Sequence, residues 1–140
     1  MSEKTKTTPT KFKTIKLERT MCFGECPVYK VEILSDGTVH YNGEMFVEKK
    51  GKHSWKIDAA TIEKLNKAIK YYRYFGIRKV KTINRVTDQP YCILSVTLQD
   101  GTSKKTNNYH GDNSYPVELD RLEDKIDKLI GVKDYIGKGE

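Results

Sequence analysis

No apolar run in this chain approaches the roughly 20 residues that a membrane-spanning helix requires. Its first residues, Met1-Ser2-Glu3-Lys4-Thr5-Lys6, have no apolar stretch behind them of the kind a secretory signal carries. Read as a complete chain, it is expected to be soluble, to stay in the cytoplasm and to have no membrane partner. Cysteine is scarce: there are three, an odd number, which argues against a disulfide framework, and cytosolic thiols are normally kept reduced. Walker, G-x-S-x-G and H-E-x-x-H motifs are missing, as is any paired-carboxylate signature, so nearly every common enzyme class lacks its sequence mark. Helix-turn-helix, RRM and KH signatures are missing too. There is no internal repeat and no low-complexity tract.

What is present fits one small domain. The 140 residues have room for a single core, and 36% hydrophobic residues are enough to close it against 32% charged ones. The net charge of +7 is unevenly spread. Residues 48–81 hold eleven Lys/Arg against three acids, and residues 110–140 hold five against eight. A basic middle beside an acidic last segment makes the molecule dipolar rather than uniformly basic.

Hydrophobic periodicity places the elements. Residues 1–10 have none and read as a disordered tail; 11–131 read as one α+β domain and 132–140 as a C-terminal tail. Ile15 and Leu17 alternate with Lys16 and Glu18, and Tyr29, Val31 and Ile33 alternate with Lys30 and Glu32. Asp36-Gly37 supplies a turn into Val39 and Tyr41, and Asn42-Gly43 reads as a second, type I′ hairpin turn. Met45 and Val47, then Trp55 and Ile57, continue an antiparallel meander of four to five strands. Asp58 is placed to cap a helix Ala59–Phe75 with Ile62, Leu65, Ile69 and Tyr72 on one face and Gly76 as its stop. A short strand is conceivable around Val80–Ile83. Cys92, Leu94, Val96 and Leu98 form the inner face of a strand that turns at Asp100-Gly101 into Ser103–Tyr109. Asn113 or Ser114 is placed to cap a last helix with Leu119, Leu122, Ile126 and Leu129 inside and Gly131 as its stop. The expected architecture is β-meander, helix, β-hairpin, helix, with both helices packed on sheet.

One loop stands out: Arg19-Thr20-Met21-Cys22-Phe23-Gly24-Glu25-Cys26-Pro27-Val28-Tyr29. The pattern R-T-x-C-F-G-x-C-P-x-Y, followed by a D-G turn and Y-x-G, resembles the signature of an uncharacterised bacterial domain family. The likeness is strong from Ile15 to Tyr41 and looser through Asp88 and Pro116 to the last helix. The resemblance implies a domain of unknown function and brings no assigned activity. Many similar domains sit in exported proteins, and this chain departs from them in lacking a signal.

Physically, Cys22 and Cys26 would lie roughly 13 Å apart in an extended chain, but Gly24 and Pro27 favour a compact turn that sets them side by side. Four readings of that turn compete. The cysteines can be small buried hydrophobes. Cys22 can be a reactive thiolate beside Arg19 or Lys30 with Cys26 as its resolver, a reversible disulfide switch included. Zinc could use both thiols but needs two further ligands, and Cys92, His40, His53 and His110 are scattered singles, so no metal and no cofactor is assigned. Gly24 could open a backbone nest for an anion beside Arg19.

Elsewhere, Lys64, Lys67, Lys70, Arg73, Arg78 and Lys79 could join into a basic surface, with Tyr71, Tyr72 and Tyr74 among them. That mixture suits single-stranded nucleic acid, by phosphate pairing and base stacking, though a solvated helix face predicts the same lysines. Asp88 and His110 could serve Cys22 as orienter and base, but nothing in their spacing brings them together. The reading that results is a non-enzymatic binding module for an anionic small ligand, a nucleotide-like one included, or for an acidic protein. Its ligand site would be built from Arg19, Cys22, Phe23, Gly24, Cys26, Tyr29, Asp88 and His110. The alternatives are a thiol-dependent enzyme or redox switch at Cys22 and Cys26, and a single-stranded nucleic-acid binder using the basic helix.

Overall fold

The computed structural model describes residues 11–22, 24–79, 89–110 and 114–137. The chain is α+β, as its periodicity implies. Strands β1 (Phe12–Arg19), β2 (Val28–Leu34), β3 (Thr38–Met45) and β4 (Gly51–Lys56) form the meander. Helix α1 (Ala59–Tyr71) follows, with a single 3₁₀ turn at Tyr74–Gly76. Strands β5 (Tyr91–Leu98) and β6 (Ser103–Tyr109) make the hairpin, and helices α2 (Val117–Ile130) and α3 (Lys133–Ile136) end the described chain. Meander and hairpin are one sheet of six strands in the order β4-β3-β2-β1-β5-β6, antiparallel throughout.

Alternation decides which face is covered. Ile15, Leu17, Tyr29, Val31, Ile33, Val39, Tyr41, Leu94 and Val96 point to one side and are buried there. Leu65, Ala68 and Ile69 of α1 and Leu119, Leu122, Ile126 and Ile130 of α2 join them in one continuous core. Both helices therefore lie on the same face, where their apolar stripes leave water together. The opposite face carries Lys16, Glu18, Lys30, Glu32, His40 and Lys105, all exposed or half-buried.

Several local readings need correction. Asn42-Gly43 is not a turn: Asn42 pairs with Lys52 and Gly43 with Gly51, the last two pairs of the β3–β4 ladder. Gly43 is needed for closeness rather than for a left-handed backbone, since a Cβ there would meet the Lys49 carbonyl oxygen and lie 2.5 Å from the Tyr41 hydroxyl. The chain reverses later, through Phe46, whose φ is 53°. Helix α1 is capped by Asp58, whose side chain accepts from the Thr61 N–H at 2.9 Å, as expected. It ends four residues before Phe75, because Arg73 takes a left-handed φ of 53°. Helix α2 begins after Pro116 and stops at Gly131, whose φ of 75° lies in the region that favours glycine. Ser114 does not cap it, and Asn113 and the Val80–Ile83 segment lie outside the described residues.

Residues 132–137, read as the start of a tail, pack against the domain. Val132 is buried, and Tyr135 stacks on Trp55 with ring centroids 4.1 Å apart. The Trp55 indole N–H donates to the Ile130 carbonyl at 3.0 Å. Among the described residues, no helix is long and apolar enough to cross a membrane.

Candidate functional site

Sheet register lines up a row of polar side chains near the strand ends. Tyr29 on β2 faces Arg19 on β1, Arg19 faces Cys92 on β5, and Cys92 faces Asn108 on β6. The apolar rows beside it need no polar partner, but this one does, and α2 supplies it. At 100° per residue Glu123 falls about 20° beyond Ile130 at the edge of the Leu119/Ile126/Ile130 stripe, and Asp127 about 40° further round. Two carboxylates one turn apart are thereby aimed at the row.

Asp127 meets Arg19. Its Oδ2 accepts from the Arg19 Nε at 2.9 Å and from the Tyr29 hydroxyl at 2.8 Å, and the Arg19 Nη2 lies 2.7 Å away as an ion-pair contact. The Arg19 Nη2 also reaches Asp124 at 3.3 Å. Burial raises the Asp127 carboxyl, while the Arg19 charge and the hydrogen bonds from Tyr29 and Arg19 favour its anion and oppose that rise. Burial first, then Asp127, raises the Tyr29 phenol. Cys92, at the centre of the row, is raised by burial and is an unreactive thiol.

Glu123 meets β6. The Asn108 amide nitrogen lies 3.1 and 3.3 Å from its two oxygens and 2.6 Å from Asp120 Oδ1. His110 Nε2 stands 3.2 Å from Glu123 Oε1 and 3.9 Å from Asp120 Oδ1. Burial raises the Glu123 carboxyl, and the hydrogen bond that Glu123 accepts raises the His110 imidazole. Arg19 sits between two clefts. One, of about 650 Å³, is bordered by Asn108, His110, Asp120, Glu123 and Asp124; the other, of about 870 Å³, by Cys26, Tyr29, Asp124 and Asp127.

The structure thus unites Arg19 with His110 on one cleft and with Cys26 and Tyr29 on the other. The compact turn is as expected, with Cys22 and Cys26 Cα atoms 5.7 Å apart, but the thiols are joined in a disulfide. That corrects the expectation of reduced cysteines: the odd count left out only Cys92, which β5 buries. With both sulfurs bonded to each other, the zinc reading of the pair falls away in this state. Gly24 is exposed, and it is not among the glycines with a left-handed φ. Lys30 points to the open face and pairs with Glu44 at 3.8 Å. Phe23 and Asp88 lie outside the described residues. Lys64, Lys67, Lys70, Arg73, Arg78 and Lys79 are exposed, as a basic surface requires. Of the three tyrosines beside them, Tyr74 is buried and donates to the Leu94 carbonyl at 2.9 Å, so only Tyr71 and Tyr72 are left for stacking.

Sequence reasoning missed Asn108, Asp120, Glu123, Asp124 and Asp127. One signal was there: acids at 120, 123, 124 and 127 recur at helical spacing, and Glu123 flanks the apolar stripe directly. A search among curated proteins finds no significant match. A family model for a domain of unknown function, DUF6438, matches residues 13–130, and the chain belongs to that family.

Proposed function

We propose that this chain is a non-enzymatic binding module whose ligand enters the clefts beside Arg19, and that the ligand is a cation rather than the anion its basic composition first suggests. One observation carries the reading. In the smaller cleft Asp120, Glu123 and Asp124 surround a single guanidinium that is already paired with Asp127 and Asp124, and in the larger one Glu25, Asp124, Asp127 and Asp134 outnumber Arg19, Lys128 and Lys133. An anion entering there would meet surplus negative charge in a partly desolvated setting, where like charges repel most. Thermal unfolding of the untagged chain with spermidine or arginine amide, against phosphate or AMP, tests the sign. Ligands that bind only the folded state raise its melting temperature. Cations are expected to raise it and anions to leave it unchanged; the reverse pattern overturns the reading.

A second reading rests on the Cys22–Cys26 bond. Cys26 borders the larger cleft, so reduction to two thiols by a dithiol reagent would free that wall. In a cytoplasm such a bond is transient and regulatory, whereas in an oxidising compartment it is a permanent staple; cytoplasmic location goes with the switch. Equal ligand affinity before and after reduction disposes of the switch. An acidic protein or a single nucleic-acid strand would instead use Lys64, Lys67 and Lys70 on α1, beside the 77% exposed Tyr71. No binding to a single-stranded oligonucleotide at low salt rejects the nucleic-acid case.

A further inference from the structure

We propose that His110, Asp120 and Glu123 form a binding site for a divalent transition-metal ion at the mouth of the smaller cleft. The inference rests on the cation-binding reading and deepens it by naming the ion class. The donors come from two elements by simple periodicities. His110 follows Asn108 by two residues at the end of β6, and Asp120 and Glu123 are one turn apart on α2. Their ligand atoms, one imidazole nitrogen and two carboxylate oxygens, all lie within 4.8 Å of one another. A tetrahedral ion with bonds of about 2.1 Å would hold such atoms roughly 3.4 Å apart, so small side-chain rotations close the set. Imidazole with carboxylate suits zinc, manganese or ferrous iron rather than calcium, which takes oxygen alone.

Two further observations separate this cluster from an ordinary acidic patch. The Glu123 side chain is only 1% exposed while its carboxylate borders the cleft, a costly place for an anion whose other polar neighbours are Asn108, His110 and the buried Cys92 thiol. The Asn108 amide is also wedged among three carboxylate oxygens, at 2.6, 3.1 and 3.3 Å. Turning that amide over would present its carbonyl oxygen to the same point and supply a fourth donor, an arrangement that only a cation makes favourable. The cleft leaves the ion's remaining positions open to water or to a small ligand.

The test is titration of the untagged, metal-stripped full chain with Zn²⁺, Mn²⁺ and Co²⁺ by calorimetry, with Co²⁺ absorption reporting coordination. Saturable binding of one ion per chain is expected, weakened at least tenfold in His110→Gln and in Asp120→Asn and unchanged in Asp134→Asn. Asp120→Asn keeps an acceptor for Asn108, so it separates metal loss from misfolding. Binding that survives both substitutions overturns the site, as does the absence of saturable binding. If spermidine raises the melting temperature while no metal binds, the metal inference falls and the cation cleft stands. If neither binds, both fall.

Discussion

The two faces of the sheet carry charges of the same kinds to opposite effect. On the open face Lys16 stands opposite Glu32 and Glu18 opposite Lys30, cross-strand partners of opposite sign in contact with water. Lys30 comes within ion-pair distance of Glu44 there, at 3.8 Å, with side chains 53% and 43% exposed. On the covered face Arg19 and Asp127 are each 17% exposed, and Asp127 Oδ2 accepts two hydrogen bonds beside a 2.7 Å ion-pair contact. Solvent screens the first kind of pair to near nothing, whereas the second cannot lose one member without stranding the other. A charge count therefore says little about this protein until each charge is assigned to a face.

The sharpest way to break that contrast is to remove half of the buried pair. Arg19→Ala or Asp127→Ala is expected to cost about 3–5 kcal/mol in chemical denaturation. The double change Arg19→Met with Asp127→Leu is expected to recover most of it; equal losses in single and double variants would show that the pair is not coupled. Next in size is the disulfide beside the row. Closing a loop this short stabilises by about 2 kcal/mol in the chain-entropy picture, so Cys22→Ser with Cys26→Ser is expected to lose that much. A loss near zero would mean that the loop contributes nothing to the scaffold.

Smaller again is the effect of pH. The folded pKa of His110 is raised, first by its hydrogen bond with Glu123. Its contribution is therefore complete below the unfolded value of about 6.5 and is lost as pH rises through the higher folded one. Melting temperature should fall across that window in the native chain and stay flat in His110→Gln; parallel profiles would dismiss the pair. The smallest effect is expected on the open face, where Lys30→Ala should change stability by no more than about 0.5 kcal/mol. A loss of several times that would place a hidden partner over the face.

The strands, the hairpin at Asp100-Gly101, the Asp58 cap and the stop at Gly131 were legible because each depends on neighbours in the chain: alternation, turn chemistry, a side chain reaching three residues on. Asn42-Gly43 misled for the same reason, since the local preference for a turn lost to the close approach of Lys49 and Tyr41, which no local rule contains. The site was half legible. Arg19, Tyr29, Cys26 and His110 belonged to noticeable motifs or were rare residues, whereas Asn108, Glu123 and Asp127 look like ordinary polar positions until α2 is laid on the sheet.

By itself the sequence determined the class of fold, the element order and the tight bend that sets Cys22 beside Cys26, because these follow from periodicities of two and 3.6 and from the allowed backbone of glycine and proline. Only the tertiary structure decided that Arg19 is paired with Asp127, and that carboxylates outnumber cations in the smaller cleft beside it although the protein is basic. Strand register and helix docking bring residues some hundred positions apart within hydrogen-bonding distance, and the sign of a site is set by those neighbours, not by the sum over the chain.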